Sequence, residues 1–258
     1  MFWITGEVVL VFLLWVNVLA SDRPRAHLIG TTISSPTNGS IVSSIREISG
    51  ETLCPAGLSG AVQIRLRHVA TGKFWDWAED RWNDNGVLEF IPSEGTQTPW
   101  RVLLPQLAEG RYELECSSID SGVRRCSGNS RFLVDRTAPR VSFFPLHDQE
   151  TIDDVFEIGG EIDKPAEIKF TLWRVSVHGE RTACWNGKTW DSDGAKSALP
   201  ASSAHGYWFP AAETTLPKAD EIESGTYLIS ATAVDGAGNE GRAAVTVHKA
   251  NLPRFAKD

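Results

Sequence analysis

The sequence lacks the features by which most enzymes and nucleic-acid-binding proteins are recognised. Its 258 residues carry a net charge of −8 with no block of like charges, whereas surfaces for nucleic acids and anionic membranes need clustered Lys and Arg. The six histidines are scattered, and there is no GxSxG, HExxH, Walker or GxGxxG motif. We therefore predict a protein that is not an enzyme and that binds no nucleic acid.

The chain also lacks an apolar run of roughly 20 residues, the length that a membrane span needs. Residues 8–20 are apolar over the length of a signal-peptide core, and Val18 and Ala20 supply small residues before a cleavage site at Ser21. The leading MFWITGE contains no Lys or Arg, so a retained N-terminal anchor and a fragment of a longer surface protein stay open as alternatives. We predict a signal peptide over residues 1–20 and a secreted, periplasmic or cell-surface protein without further membrane contact.

No segment repeats apolar residues with the period of a helix, so strands are predicted throughout. Residues 225–239, GTYLISATAVDGAGN, alternate between two faces and then enter a turn rich in Gly and Asn, which is typical of a half-buried strand and a tight turn. Residues 110–120, GRYELECSSID, have the same construction, with Gly two residues before Tyr and Asp eight after it. Two copies of one strand-and-turn unit indicate a tandem repeat.

Further pairs of matching positions extend the repeat over most of the chain. They are ISG at 48–50 with IGG at 158–160, Trp75 with Trp185, Trp100 with Trp208, and Tyr112 with Tyr227. Short strands separated by frequent turn signals are typical of β-sandwiches of about 100 residues. The predicted fold class is therefore all-β, with two tandem β-sandwich domains at 31–138 and 139–249 after an N-terminal signal peptide.

Three motifs and a connector carry a family resemblance. ISSPTNG (33–39), GKFWDWAEDRW (72–82), residues 225–239 and the connector VDRTAP (134–139) resemble bacterial immunoglobulin-like repeats, which occur in tandem in large secreted and cell-surface proteins. The resemblance spans about residues 31–248 and implies two immunoglobulin-like sandwiches that act as spacers, adhesion modules or accessory domains beside an enzyme. The first copy departs from the pattern, because SGVRRCS is inserted in its turn.

Ten tryptophans against three tyrosines have two interpretations. Exposed aromatic faces stack on sugar rings, and the candidate residues for such a carbohydrate-binding surface are Phe74, Trp75, Trp77, Trp82, Trp185 and Trp190. The other interpretation is that tryptophans at matching places of a repeat fill the sandwich cores, and the repetition favours it. Trp77 has no counterpart in the second copy, so we expect it to be the most exposed of the set.

The turn after the second tyrosine strand is a candidate calcium site. Asp235 and Asn239 offer oxygen ligands of the hardness that Ca²⁺ prefers, but Ca²⁺ takes six to eight ligands. Asp120, Asp135 and the pair Asp153-Asp154 could add some of the missing oxygens. An Asx turn that only shapes the loop is the preferred interpretation, so no cofactor is predicted.

The four cysteines contain no CxxC pair and no zinc-site spacing, and they are compatible with an oxidising compartment. Three lie in the first copy, where we expect a disulfide: Cys54–Cys126, Cys54–Cys116 and Cys116–Cys126 all stay open. The first pairing would staple two loops together, and the second would mimic the sheet-to-sheet bridge of antibody domains. Cys184 is left over or pairs between molecules.

The predicted function is that of a non-catalytic secreted immunoglobulin-like protein, either an interaction or adhesion module or a structural spacer. Its partner would be a protein or a cell-surface polysaccharide, and the sequence does not indicate an oligomeric state. The alternative function is a secreted carbohydrate-binding accessory protein that uses the Trp-rich hairpins.

Overall fold

The computed structural model describes residues 30–54, 60–92, 96–120, 123–152, 157–192 and 198–250. Within these ranges every element is a strand except one short 3₁₀ turn, Ala219–Glu221, so the predicted all-β class is confirmed. The same ranges contain no helix long and apolar enough to cross a membrane.

The described chain forms two compact units. The first contains residues 30–40, 46–106 and 110–132, and the second contains residues 41–45, 107–109 and 133–250. Both are immunoglobulin-like β-sandwiches, as the tandem repeat predicts. The domain bounds at 31–138 and 139–249 stay a prediction.

Ten strands precede the connector. They are β1 (Gly30–Ser35), β2 (Ile41–Val42), β3 (Glu47–Cys54), β4 (Ala61–His68), β5 (Phe74–Asp76), β6 (Arg81–Asn83), β7 (Leu88–Phe90), β8 (Thr96–Leu103), β9 (Gly110–Asp120) and β10 (Val123–Val134). One sheet has the order β1-β3-β8, and the other has the order β2-β10-β9-β4-β5-β6, with β7 paired to β4.

Strand β4 shows why this sequence makes a sandwich. Val62, Ile64 and Leu66 have no exposed surface, while Gln63 and Arg65 between them are half-buried, because successive side chains of a strand point to opposite faces. The apolar face of β4 therefore lies in the core of the first unit, and its polar face looks outward.

The second unit contains the remaining nine strands. They are β11 (Glu150–Ile152), β12 (Gly160–Glu161), β13 (Ala166–Val175), β14 (Arg181–Trp185), β15 (Trp190–Asp191), β16 (Leu199–Ala204), β17 (Tyr207–Pro210), β18 (Gly225–Asp235) and β19 (Glu240–Lys249). Their order is β11-β19-β18-β13-β16-β17-β12, and the hairpin β14-β15 joins at β13. The core of this unit includes Phe170, Trp185, Trp208 and Tyr227.

The two strands predicted to be copies of each other are equivalent in the structure. Strands β9 and β18 each have 11 residues, and each begins at a glycine with positive φ, +149° at Gly110 and +153° at Gly225. The tyrosine that follows is buried in both, Tyr112 at 2% and Tyr227 at 1% exposure. The Tyr227 hydroxyl donates to the Glu223 carbonyl over 2.6 Å, the tyrosine corner of immunoglobulin-like sandwiches.

A glycine paired with a tryptophan is the second shared feature. Gly50 lies opposite Trp100 on the neighbouring strand, and Gly160 lies opposite Trp208. A Cβ on Gly50 would lie 2.2 Å from the Trp100 ring, and one on Gly160 would lie 1.7 Å from the Ser142 carbonyl oxygen. Only glycine fits at these two positions, which explains the repeated ISG and IGG.

Candidate functional site

The tryptophans at matching places form one hairpin in each unit. Trp75 faces Trp82 across β5 and β6, and Trp185 faces Trp190 across β14 and β15. The ring centroids are 5.3 Å apart with an interplanar angle of 68° in the first pair, and 5.6 Å apart with an angle of 61° in the second. Such edge-to-face contacts stabilise aromatic clusters beyond the area that they bury.

The buried tyrosine of each unit completes the cluster. The Trp82 ring lies 5.9 Å from the Tyr112 ring, and the Trp190 ring lies 5.5 Å from the Tyr227 ring. In the second unit the indole nitrogens also have fixed partners, because Trp185 donates to the Thr215 carbonyl and Trp190 to the Glu221 carbonyl.

Exposure divides the six predicted sugar-binding residues. Trp75 and Trp185 are 7% and 1% exposed, whereas Phe74, Trp77, Trp82 and Trp190 are half-buried. A ring needs an open face to stack on a sugar, so the geometry of Trp75 and Trp185 favours packing. A sugar-binding role for the set stays a prediction.

Phe74 and Trp77 lie outside the two ring clusters and make other contacts. The Arg65 guanidinium lies 3.8 Å from the centroid of the Phe74 ring and covers one of its faces. Trp77, expected to be the most exposed, is half-buried, and its indole nitrogen donates to the Leu103 carbonyl over 3.3 Å.

The candidate calcium turn has the geometry of an Asx turn. The Asp235 Oδ1 atom accepts hydrogen bonds from the backbone nitrogens of Ala237 and Asn239, each at 2.9 Å, and Gly238 adopts φ +83°. The Asn239 side-chain nitrogen donates to Asp235 Oδ2 at 3.1 Å and to the Asp135 carbonyl at 2.9 Å. The side chains of Asp235 and Asn239 thus shape the turn and hold the connector.

Lys164, which no sequence motif marked, lies between the two aspartates. Its ammonium is 2.6 Å from Asp235 Oδ2 and 2.9 Å from Asp135 Oδ2, and it also donates to the Thr137 carbonyl. These three oxygens surround the ammonium. We call Asp135, Thr137, Lys164, Asp235 and Asn239 the connector lock.

Lys164 and Asp235 are both held in their ionised forms. Burial of the Asp235 carboxyl disfavours its charge, but hydrogen bonds from Lys164 and Asn239 outweigh burial and lower its pKa to about 2. Burial likewise disfavours the ammonium of Lys164, but the hydrogen bonds to Asp235 and Asp135 raise its pKa above the ordinary value. A Ca²⁺ ion would have to displace this ammonium, and the part of the chain described here contains no group of three or more His, Cys, Asp or Glu arranged to hold a metal.

The connector residue next to Asp135 is held from several sides within the same unit. The Arg136 guanidinium donates to the carbonyls of Ser43 and Leu107 at 3.2 and 2.6 Å. The Glu109 carboxylate accepts from the Arg136 backbone nitrogen at 2.6 Å and from the Thr137 hydroxyl at 3.0 Å. The start of the connector is therefore ordered by charge-assisted hydrogen bonds, the stronger kind.

Three of the four cysteine side chains are described, so only part of the disulfide prediction can be compared with the structure. Cys54, Cys116 and Cys184 are buried, and no disulfide joins any two of them, so the Cys54–Cys116 alternative is wrong. The Thr31 hydroxyl donates to the Cys116 sulfur at 3.6 Å, and burial raises the pKa of that thiol. The side chain of Cys126 lies outside the described residues, so its pairings with Cys54 and Cys116 stay predictions.

Comparison with known proteins gives similarity in structure alone. No family model matches the chain, and no curated protein does. Fibronectin(III)-like modules of Clostridium thermocellum CbhA are 14% identical, with a TM-score of 0.38 over 88% of this chain and 99% of that one. A tetra-tandem repeat from the extending region of a large adhesion protein is 15% identical, with a TM-score of 0.31 over 86% of this chain and 50% of that one.

A third solved structure comes from a 1.5-MDa bacterial ice-binding adhesin. It is 14% identical, with a TM-score of 0.34, and the match covers 87% of this chain and 66% of that one. Because all three TM-scores lie below 0.5, the description of the fold depends on the strand pairing given above, and no function is transferred from these proteins.

Proposed function

We propose that this protein is a non-catalytic module of a secreted or cell-surface protein, which acts as a structural spacer and as an interaction or adhesion module for a protein or a surface polysaccharide. The observation that carries the proposal is the connector lock. A spacer that keeps the segments on its two sides at a fixed separation needs an ordered connector. Here the connector is ordered by a half-buried lysine between two aspartates.

The physical basis of the lock is an internal ion pair of low exposure. The side chain of Lys164 is 22% exposed and that of Asp235 is 3% exposed, so solvent screens their attraction less than it would at the surface. Removal of one partner from such a pair leaves an uncompensated charge, which is strongly destabilising. The lock therefore holds as long as Lys164 is present.

Limited proteolysis of the full chain with trypsin tests the proposal, because Arg136 lies within the connector and Arg140 directly follows it. We expect the Arg136–Thr137 bond to resist cleavage in the wild type and to be cut at least about tenfold faster in Lys164→Met, since each 1.4 kcal/mol lost from the closed form is a factor of ten in opening. Lys188→Met, which removes an exposed lysine of the same unit, is the matched control. Equal cleavage of wild type and Lys164→Met would show that the connector is not locked, and the spacer role would be lost with it.

A further inference from the structure

Three large aromatic side chains of the second unit are exposed, two on β17 and one in the segment beside β12. Tyr207, Phe209 and Phe144 have exposures of 51%, 46% and 58%. Tyr207 and Phe209 alternate with the buried Trp208 on β17, so they share a face and lie roughly 7 Å apart along the strand. The Phe144 backbone nitrogen donates to the Gly159 carbonyl, and a Cβ on Gly159 would lie 4.0 Å from the Phe209 Cα. Phe144 and Phe209 therefore lie on either side of Gly159, which has no side chain to separate them.

The first unit shows that the fold does not require these aromatics. Its equivalent strands keep the glycine-tryptophan pair, but Pro99 and Arg101 flank Trp100 where Tyr207 and Phe209 flank Trp208. Ser35, paired with Ser49, occupies the place that corresponds to Phe144. Because the same framework forms without aromatic residues at these positions, the exposed rings of the second unit need an explanation other than folding.

A cleft of about 390 Å³ opens beside Tyr207, within the size range of small-ligand sites. Its polar lining comes from Arg140, Glu161, Asp163 and His205. Among the described residues, the side chains of Arg140, Glu161 and His205 form no hydrogen bond or ion pair. The side chains of Arg140, Glu161, Asp163 and His205 are all exposed, so donors and acceptors for a ligand lie together at one cleft.

The backbone around this cleft is fixed. Two residues, His205 and Gly206, join β16 to β17 with φ values of +54° and +83°, the type I′ hairpin turn. The Gly206 carbonyl accepts a hydrogen bond from the Ile162 backbone nitrogen at 2.8 Å. Arg140 and Asp163 are joined by the Arg140 backbone nitrogen, which donates to Asp163 Oδ1 at 2.8 Å. A type I′ turn requires positive φ at both of its central residues, so the hairpin itself accounts for the conformation of His205.

The geometry points to a binding site for a neutral saccharide. The apolar C–H face of a sugar ring buries well against an exposed aromatic ring, which Tyr207 supplies beside the cleft. Sugar hydroxyls donate to carboxylates and accept from guanidinium or imidazole, and charge-assisted bonds of this type are the stronger ones. Phe209 and Phe144 extend the apolar surface for a second sugar unit.

The charges favour a neutral ligand over an anionic one. The cleft contains two carboxylates, Glu161 and Asp163, against one guanidinium, Arg140. An acidic polysaccharide would be repelled, and an anionic nucleotide would lack the clustered basic residues that bind phosphates. This inference rests on the proposed function only in that it identifies the ligand of an interaction module, and the trypsin experiment at the connector tests the spacer role separately.

Affinity electrophoresis of the purified full chain tests the site. The native gels contain a neutral soluble polysaccharide (galactomannan, xyloglucan or mixed-linkage β-glucan) or, for comparison, the acidic polygalacturonate. We expect at least one neutral polysaccharide to retard the wild type. Tyr207→Ala and Glu161→Gln should each weaken that retardation roughly tenfold, the effect of losing one stacking or charge-assisted contact. Val177→Ala, a change at a 96% exposed residue of the same unit, should leave it unchanged.

Trp77→Ala separates this cleft from the Trp-rich hairpin of the first unit and should retain full retardation. The inference is overturned if no neutral polysaccharide retards the folded wild type, if polygalacturonate alone does, or if Tyr207→Ala and Glu161→Gln bind as the wild type does. Loss of binding in Trp77→Ala alone would also overturn it and would place the sugar site in the Trp-rich hairpin. None of these outcomes bears on whether the connector is locked.

Discussion

The two units have the same interior and different surfaces. Each contains a Trp-Trp-Tyr cluster with edge-to-face contacts and a glycine-tryptophan pair between neighbouring strands. In the second unit, the turn after the tyrosine strand binds Lys164 and the connector, whereas the first copy has an insertion in the corresponding turn. Exposed aromatic residues flank the paired tryptophan only in the second unit.

Comparison of the two units distinguishes residues that the fold requires from residues that have another role. A feature that both units keep despite different sequences is one that packing requires, as the rings and glycines of the core are. A feature present in one unit is dispensable for the sandwich, so its role lies in binding or in the connection. By this criterion Trp75 and Trp185 belong to the fold, while Lys164, Tyr207 and Phe209 do not.

The charged groups differ in the same way. In the first unit, Glu113 on β9 accepts hydrogen bonds from Asn129 and Arg131 on the neighbouring strand, and these bonds lower its pKa. In the second unit, Asp235 lies at the end of β18 and its partner Lys164 precedes β13. One network supports a sheet, and the other fixes a connector.

The largest effect is expected from alanine at the paired glycines. Gly50→Ala and Gly160→Ala should each destabilise their unit by about 3 kcal/mol or more, because backbone or ring atoms occupy the place of the new Cβ. Chemical denaturation measures the loss, and Gly30→Ala, where a Cβ meets nothing within 4 Å, is the control. If either variant were as stable as the wild type, the two units would not share this packing.

Lys164→Met should affect the second unit alone. We expect it to destabilise that unit by about 2 to 3 kcal/mol, because it leaves the 3% exposed side chain of Asp235 without its counter-charge. Hydrogen exchange read by mass spectrometry would show faster exchange in peptides from β18 and β19, with β4 and β9 unchanged. The exposed-lysine variant Lys188→Met should exchange as the wild type does, and faster exchange in β4 and β9 would contradict the assignment of the lock to the second unit.

Acid should weaken the lock over a defined range. The pKa of Asp235 is about 2 in the folded protein, against 3.8 without the contacts of the fold, so its contribution to stability is complete above about pH 4 and is lost as the pH falls through 2. Asp235→Asn removes this contribution, so its deficit relative to the wild type should be large at pH 6 and shrink toward pH 2. Unfolding curves at several pH values give the measurement, and a deficit independent of pH would show that the charge of Asp235 is not responsible.

The smallest expected effect is a difference in stability between phenylalanine variants of the two paired tryptophans, Trp100 and Trp208. The Trp208 indole nitrogen donates to the Ser142 carbonyl at 2.9 Å, whereas that of Trp100 is buried without a partner among the described residues. Trp208→Phe should therefore cost about 1 kcal/mol more than Trp100→Phe, the worth of one hydrogen bond. Denaturant titration of the two variants compares them directly, and equal losses would mean that the hydrogen bond contributes nothing.

Much of the fold could be predicted from the sequence because its signals are local. Alternation identified β4, β9 and β18, and the Asp–Gly–Asn composition identified the turn that closes with Asp235. The repeated positions of Trp75 and Trp185 mark both Trp hairpins in the sequence. Bounds of short strands such as β12 could not be predicted, because two residues carry no periodicity.

The candidate sites were predicted less completely. The sequence makes Asp235 and Asn239 candidates for a metal site and favours an Asx turn, but nothing near Lys164 indicates that its ammonium lies between Asp235 and Asp135. Similarly, the tryptophan content points to the Trp-rich hairpins as sugar-binding surfaces, and no sequence signal marks Tyr207 or Phe144. Exposure, which decides whether a ring is available, depends on neighbours that sequence analysis could not assign.

By itself the sequence determined the all-β class, the tandem repeat and the residues that face each core, because the side-chain period of a strand is a local property. Only the tertiary structure decided that Lys164 joins Asp235 to the connector, and that Arg140, Glu161 and His205 share one cleft. These groups come from separate strands and turns, and which segments become neighbours is set by the pairing of distant strands. The alternation of residues along a strand indicates which face a side chain lies on, and the pairing of strands determines which residues it contacts.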